Sequence, residues 1–498
     1  MLALWPLMAQ GRAHPIAFGD AIKTQLINEV AILCAYAIMH QPDPLKAACD
    51  VVHAFHEILP LQAAELQLLY PLIGMRLAVS VTQASLARAN VPANDYKTIS
   101  EQPAWEALHR WQPLDPAWVL CHFRAACDMT PHPEAIALQA HLKKQAVSLG
   151  TLLPEQDLED GVKAIDLGVG STLLGNAAEY EAHALQLFKM NQMQAQHPKQ
   201  LLAGGYGEAR SFYAADAFSI EGNDGKAYRT VHLGLDVWLP AQTPIHAPLA
   251  GVVYVLHDND RQRDYGPTLI LQHEYQRADK ATGHFYTLYG HLSQATLQQH
   301  QVGDAIAVGQ LLGWTGEPHE NGGWSPHLHL QVMHDLLGFT DDFPGACTPN
   351  DWPVMHALCP DPASLFTDCQ LPSQSAAPNQ PLIEFRQQHL GKSLSLSYDE
   401  PLQMLRGDDV YLLDQWGQKY LDTCNNVAHV GHEPPRVVAA GQAQMAVLNT
   451  NSRYLHPALQ TFSEALLATL PEELSVLHLV NSGSEANDLA LRMAQAYT

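Results

Sequence analysis

From Gly204 to Gly345 the chain is cut by Gly, Pro, Asn and Asp into short runs, and within those runs apolar and polar residues alternate. Val231, Leu233, Leu235, Val237 and Trp238 alternate in this way with the polar residues between them. A strand sends successive side chains to opposite faces, so this period of two predicts half-buried β-structure rather than helix. Leu249 to Leu256, Thr268 to His273 and Phe285 to Tyr289 are further strand candidates. The expectation for 204–345 is a compact antiparallel β domain.

That pattern sets where the chemistry falls. His232 and Asp236 are four residues apart, and His327 and His329 are two apart. On a strand each pair shares a face. With 27 histidines in the chain, either spacing arises by chance. The alternative reading, ordinary polar residues on a β surface, requires His232, Asp236, His291, His327 and His329 to coincide in order and spacing. Three imidazole or carboxylate ligands with one open position describe a catalytic zinc centre, and no cysteine competes nearby.

The segment from about 205 to 340 resembles the lysostaphin/LytM-type zinc endopeptidases. The resemblance rests on His232-Leu-Gly-Leu-Asp236, Tyr289-Gly-His291-Leu and His327-Leu-His329. It is supported by Ala247-Pro-Leu-Ala-Gly251-Val-Val and by the Gly-punctuated run from Val302 to Gly316. It implies zinc ligands His232, Asp236 and His329, with His291 and His327 as the catalytic pair. No His-Glu-x-x-His occurs, so a histidine takes the work of general base. The division of roles between His291 and His327 stays open. His273 and His284 read as structural or surface residues.

A length of 498 residues predicts about three domains. The net charge of −24 argues against nucleic acid and anionic membrane surfaces as partners. No apolar run is expected to reach bilayer-spanning length, and Met1 to Met8 lacks the basic start of a signal peptide. Eight cysteines without a Cys-x-x-Cys predict reduced thiols and a cytoplasmic protein.

Before the β domain the chain reads as helical. Asp43-Pro44 is a helix start, and Leu45, Ala48, Val52 and Phe55 follow at helical spacing. Leu61 to Leu77, Ala104 to Trp111 and Glu179 to Gln196 are further helix candidates. Ile16-Ala-Phe-Gly-Asp20, Asn28-Glu-Val-Ala-Ile and Ala35-Tyr-Ala are similar to the C-lobe of aminoglycoside-phosphotransferase-like kinases. That family's metal-binding Asp falls on Ala17, so no kinase activity is expected, and Asp20 reads as a loop cap.

At the other end, Val476 to Val480 reads as a buried strand, Asn481 to Ser484 as a turn, and Glu485 as the opening of a helix. A strand, a Gly/Ser turn and a helix N-terminus form an anion cup. Residues 386 to 498 resemble the N-terminal part of class III, fold-type-I pyridoxal-phosphate aminotransferases and phospholyases. The matching runs are Asn425 to His432, Leu448 to Tyr454 and Asn481-Ser-Gly-Ser-Glu-Ala-Asn487. The resemblance implies that Gly483 and Ser484 hold the cofactor phosphate, and that an intact module forms a homodimer. The Schiff-base Lys this chemistry requires is not found, because no Lys follows Lys419.

The predicted fold is multidomain α+β. It comprises a helical kinase-like fragment (1–147), a connector (148–203), the zinc-peptidase-like β domain (204–345), a linker (346–385) and a truncated α/β segment of pyridoxal-phosphate-enzyme type (386–498). Only the middle module is expected to be complete. The predicted activity is zinc-dependent hydrolysis of a peptide or related amino compound. The alternative is a pyridoxal-phosphate transferase or lyase with the β domain as accessory.

Overall fold

The computed structural model describes residues 25–90, 101–156, 159–173, 175, 179, 182–213, 218–371, 379–424 and 429–497. Ala17, Asp20, Met1 to Met8 and Asn425 to Ala428 lie outside the described residues. The chain forms two compact units, Met1–His432 and Glu433–Thr498.

The first unit opens with helices α1 (Leu26–Ala37), α2 (Pro44–Ile58), α3 (Ala63–Asn90), α4 (Glu101–Trp111), α5 (Pro116–Ala126) and α6 (Ala135–Gln145). The Asp43 side chain accepts the Lys46 N–H and Pro44 occupies the first turn, so α2 starts where its sequence predicts. Leu45, Ala48, Val52 and Phe55 are buried along one stripe of α2. By length and composition, Ala63–Leu86 within α3 could cross a membrane, contrary to the expectation that no apolar run is that long. Its Leu66, Leu69, Ile73 and Leu77 are buried within the core of the helical region.

The β region begins with β1 (Val162–Ala164), helix α7 (His183–Gln196) and β2 (Leu201–Gly204). Then come β3 (Ser219–Gly222), β4 (Gly225–Tyr228), β5 (Val231–His232), β6 (Leu235–Trp238) and β7 (Pro244–His246). The long central strands are β8 (Gly251–Asn259), β9 (Gly266–Gln276) and β10 (Thr282–Gly290). They are followed by β11 (Ala305–Ile306), β12 (Leu311–Trp314), β13 (His327–Met333) and β14 (Ala346–Cys347). Eight strands form one sheet in the order β1-β2-β6-β13-β10-β9-β8-β11, antiparallel except for the β1–β2 pair.

Both faces of this sheet are covered. Leu235, Val237, Leu269, Leu271, Leu328 and Leu330 pack into one core. Ile270, Leu288 and Met333 pack into another with Val231 and Leu233. Burying Leu328 and Leu330 on one face fixes His327, His329 and Gln331 on the other.

Strand pairing extends beyond 204–345 on both sides. The connector (148–203) supplies β1 and β2 at the edge of the sheet. The linker (346–385) supplies β14, which pairs with β5, and helix α8 (Trp352–Leu358). Leu358, Cys359 and Leu365 are fully buried, so the Pro and Asp of this stretch mark turns between packed apolar residues rather than a free linker. Helix α9 (Gln380–His389) follows, then a meander of β15 (Met404–Asp408), β16 (Tyr411–Asp414) and β17 (Lys419–Leu421). The meander belongs to the first unit, and its Leu413 is buried in the core beneath β5.

The second unit contains α10 (Pro435–Val447), α11 (Pro457–Leu467) and α12 (Gly483–Tyr497). The expected buried strand at Val476 to Val480 is absent: these residues are irregular, and Val476 is 73% exposed. A buried strand needs neighbours for its N–H and C=O groups, and no described strand pairs with this run.

Candidate active site

Register brings the predicted residues together. β13 pairs with β6 so that His329 lies opposite Asp236 and His327 opposite Trp238. On the other side of β13, His329 lies opposite Gly290, the residue before His291. His232 ends β5, where it pairs with Ala346. Gly234 separates His232 from Asp236, and a Cβ there would sit 2.3 Å from the His329 ring. Only glycine admits that close approach.

Three donor atoms form a small triangle. His232 Nε2 and His329 Nδ1 are 3.0 Å apart, and His329 Nδ1 is 3.0 Å from Asp236 Oδ1. His232 Nε2 is 3.4 Å from the same oxygen. A tetrahedral zinc centre with bonds of about 2.0–2.1 Å has ligand–ligand edges of about 3.3 Å. The triangle therefore fits that ion with little rearrangement, and His232, Asp236 and His329 are the residues that could hold it.

A surrounding layer sets the tautomers. His232 Nδ1 is 3.0 Å from Gly205 O, which only accepts, so Nδ1 carries the proton and Nε2 presents a lone pair. His329 Nε2 is 3.0 Å from Gln331 Oε1, which leaves Nδ1 to face the triangle. Gln331 is itself fixed by donating to Pro344 O at 3.2 Å. The phenol of Tyr265 donates to Phe343 O beside the His329 ring.

Charge is balanced from behind. Arg210 bridges Asp236 Oδ2 at 2.8 Å and Glu208 Oε2 at 2.8 Å, and donates to the Tyr213 hydroxyl at 3.1 Å. Burial alone would raise the Asp236 carboxyl, but His232 and the Arg210 guanidinium hold it well below the usual carboxylate range. Burial, reinforced by Arg210, pushes the His232 imidazole down to about 3.

His291 and His327 lie side by side next to the triangle, ring centroids 4.3 Å apart and ring planes tilted by 39°. His291 Nδ1 donates to Asn321 O at 3.0 Å, and His327 Nδ1 to Ser325 O at 2.6 Å. Each Nε2 is thereby left as a base, and His327 Nε2 lies 3.8 Å from Asp236 Oδ1. Burial lowers both imidazoles, so both stay neutral near pH 7. All five groups line a cavity of about 440 Å³ that also exposes Tyr213, Tyr265 and Trp324.

Glu208, Arg210, Tyr213, Tyr265 and Gln331 were not marked by the sequence motifs. Gln331 had a usable signal, since two residues beyond His329 it must share that face. His273 is buried between Ala250 O and Thr287 Oγ1, and His284 is exposed; neither reaches the triangle. Gly483 and Ser484 open α12. The turn is tied by its own groups: Ser482 Oγ accepts the Glu485 N–H, and Glu485 Oε2 accepts the Asn481 N–H. Lys419 pairs with Asp408 at 3.0 Å.

With this geometry the family comparison is specific. Residues 230–339 match peptidase family M23. Residues 395–498 match a second family, aminotransferase class-III. The catalytic domain of lysostaphin from Staphylococcus simulans is 22% identical, with 32% of this chain and 96% of that one covered and a TM-score of 0.19. The alanine–glyoxylate aminotransferase 2-like protein of Drosophila melanogaster is 51% identical over 117 residues, 23% of this chain and 24% of that one. A phospholyase from Arthrobacter in complex with phosphoethanolamine is 43% identical, covering 24% and 28% with a TM-score of 0.23. The chain spans about a quarter of the length of these aminotransferase-type relatives.

Proposed function

We propose that the β domain hydrolyses a peptide or amide bond with Zn²⁺ held by His232 Nε2, Asp236 Oδ1 and His329 Nδ1. The observation that carries this reading is the triangle of 3.0, 3.0 and 3.4 Å between those atoms. Bound there, zinc would supply Lewis acidity and acidify water. The chain's own residues do the rest. Neutral His291 and His327 each present an Nε2 lone pair toward the cavity, so one takes the proton of the attacking water. The imidazolium so formed stands next to Asp236 and can return its proton to the leaving amine. Gln331 and Gly205 O keep the ligand rings oriented, and Tyr213, Tyr265 and Trp324 line the space for substrate. The test is zinc content together with cleavage of short peptides by the full chain. Zinc bound at one equivalent with no hydrolysis of any peptide or acyl-amine would leave the domain a binding module.

A second reading is favoured by the 51% identity of the C-terminal segment to an aminotransferase-type protein. On this reading the protein is also a pyridoxal-phosphate transferase or phospholyase, dimeric through that module and acting on an amino compound. The N–H groups at Gly483 and Ser484 suit the cofactor phosphate. The remaining requirement is not met by these residues, because Lys419 is engaged by Asp408 and no Lys follows it. No step is therefore assigned to the cofactor. Equilibrium dialysis of the chain against pyridoxal phosphate tests this reading through the phosphate site, and no retention of the cofactor counts against it.

A further inference from the structure

The meander β15–β17 lies within the aminotransferase-matched segment, yet it is packed against the β domain. Arg406 on β15 donates from Nε to Val169 O at 2.9 Å, from Nη1 to Gly175 O at 2.7 Å, and from Nη2 to Ser171 O. One guanidinium therefore clasps three carbonyls, those of Val169, Ser171 and Gly175, in the Gly-punctuated stretch after β1.

That turn is in contact with the metal-site network. The Val169 N–H donates to Ala209 O at 2.9 Å. The Leu167 N–H donates to Glu208 Oε1 at 2.7 Å. Glu208 holds Arg210, and Arg210 holds Asp236. Every link is a hydrogen bond or ion pair among buried or half-buried groups, where such bonds are strongest and least forgiving of displacement.

A second attachment runs separately. Thr230 Oγ1 donates to Trp416 O in the β16–β17 turn, and Gln418 Nε2 donates to Tyr228 O at 3.4 Å. Thr230 is fully buried and two residues before His232. Leu413 of β16 is fully buried among Val169, Val231 and Leu233, the last two flanking His232. The meander thus touches the backing of Asp236 through Arg406, and the strand of His232 through Thr230 and Leu413.

We propose that the β15–β17 meander is a working part of the metal site, with Arg406 a positioning residue that holds Asp236 in register through the Ile165–Ser171 turn, Glu208 and Arg210. The aminotransferase-matched segment and the peptidase-matched domain are then coupled: whatever displaces the meander loosens the grip on the metal ion. This inference rests on the metal-site reading above, and its test separates the two.

The experiment titrates the full chain with Co²⁺, followed by its visible absorption, and with Zn²⁺ against a chromophoric chelator. Arg406→Ala is expected to weaken Zn²⁺ affinity about tenfold, the lower end of the 10–100-fold that loss of an outer-shell partner costs. Arg406→Lys, which keeps the charge but not the fork, is expected to recover part of the loss. Thr230→Val removes the separate attachment and is expected to weaken binding by a smaller factor. Arg386→Ala, on a helix outside this network, is expected to leave affinity unchanged. A merely structural Arg406 would lower the melting temperature without changing affinity in the protein that remains folded, so circular dichroism accompanies each titration. Wild-type affinity in folded Arg406→Ala overturns the coupling; if that variant does not fold, wild-type affinity in both Arg406→Lys and Thr230→Val overturns it. Absence of Co²⁺ and Zn²⁺ binding by the wild-type chain overturns the metal-site reading itself.

Discussion

Arg210 Nη1 meets Asp236 Oδ2 at 2.8 Å while Asp236 Oδ1 faces His329 Nδ1 at 3.0 Å, so one carboxylate is divided between a permanent cation and the imidazole pair. Glu208 on the far side of Arg210 completes a buried triad of one positive and two negative groups. Removing the guanidinium leaves two carboxylates in low dielectric. Arg210→Ala is therefore expected to cost about 3–5 kcal/mol of stability in metal-free protein, as for breaking a buried pair. Denaturant titration in the presence of a chelator measures it. A loss below about 1 kcal/mol would mean that the triad is solvated and that Asp236 is not held by Arg210.

His291 and His327 differ from His232 in what they touch, so their loss should separate chemistry from binding. His291→Ala and His327→Ala are each expected to reduce peptide hydrolysis by about 10²–10⁴-fold, the range for general acid–base groups, with one equivalent of zinc retained. His232→Ala is expected to lose zinc. Hydrolysis and metal content measured on the same preparations decide the matter, and loss of zinc in His291→Ala would make that residue a ligand instead.

Gln331 fixes the His329 tautomer by accepting from Nε2, and its own amide is anchored on Pro344 O. Gln331→Leu conserves volume but removes the acceptor. Zinc affinity is expected to fall about 10–100-fold. Gln331→Glu, which keeps an acceptor at the same reach, is expected to stay nearer wild type. Chelator competition distinguishes them, and equal affinities in the two variants would remove Gln331 from the site.

The reach of the sequence follows from which interactions are local. Alternation along β6 and β13 made the shared face of Asp236, His327 and His329 legible, because side-chain direction on a strand depends only on parity. His232 lies on β5, and the strand breaks at Leu233 and Gly234 before Asp236, so parity along one strand does not carry its placement. Asp43 was legible as a cap for the same reason, since its partner Lys46 N–H lies three residues away. Arg210 and Glu208 were not, because their roles depend on contacts with Asp236 and Leu167 across the fold. The run Val476 to Val480 has strand composition, but composition does not supply the neighbouring strand that would bury it. The Pro- and Asp-rich stretch after Ala346 failed for the opposite reason: Leu358, Cys359 and Leu365 find partners that no short window contains.

Asp351 links the helical region to the β domain and gives a dependence on pH. It stands 3.5 Å from His122 of α5, yet burial pushes His122 down to about 3, so above pH 4 His122 puts no positive charge beside the carboxylate. Burial raises the Asp351 carboxyl from 3.8 to about 6 despite the hydrogen bond from Thr348. The unfolded chain loses this proton first, so ionisation weakens the native state as pH rises from about 3.8, and the cost is complete above about 6. Its side chain is 30% exposed, which reduces the full linkage to about 1–2 kcal/mol. Asp351→Asn is expected to raise stability by that amount at pH 7.5 and to lose the advantage below pH 4. Unfolding midpoints at the two pH values check it; a pH-independent gain would mean that burial of this carboxyl is not its source.

The second unit and the central sheet differ most in what protects their hydrogen bonds. No described residue from Glu433 to Tyr497 is buried, and Met445, Val447 and Tyr497 are 71%, 84% and 94% exposed. In β9 and β10, by contrast, Leu269, Ile270, Leu271 and Leu288 are fully buried and the two strands are paired along most of their length. Amide exchange follows local opening, and opening is cheap where few apolar contacts must be broken. Hydrogen exchange followed by mass spectrometry is expected to label α10, α11 and α12 within seconds to minutes, while β9 and β10 stay protected for hours. Equal protection of the two regions would require a partner surface covering the apolar side chains of the three helices, and exchange repeated over a range of protein concentrations would reveal whether that partner is a second copy of this chain.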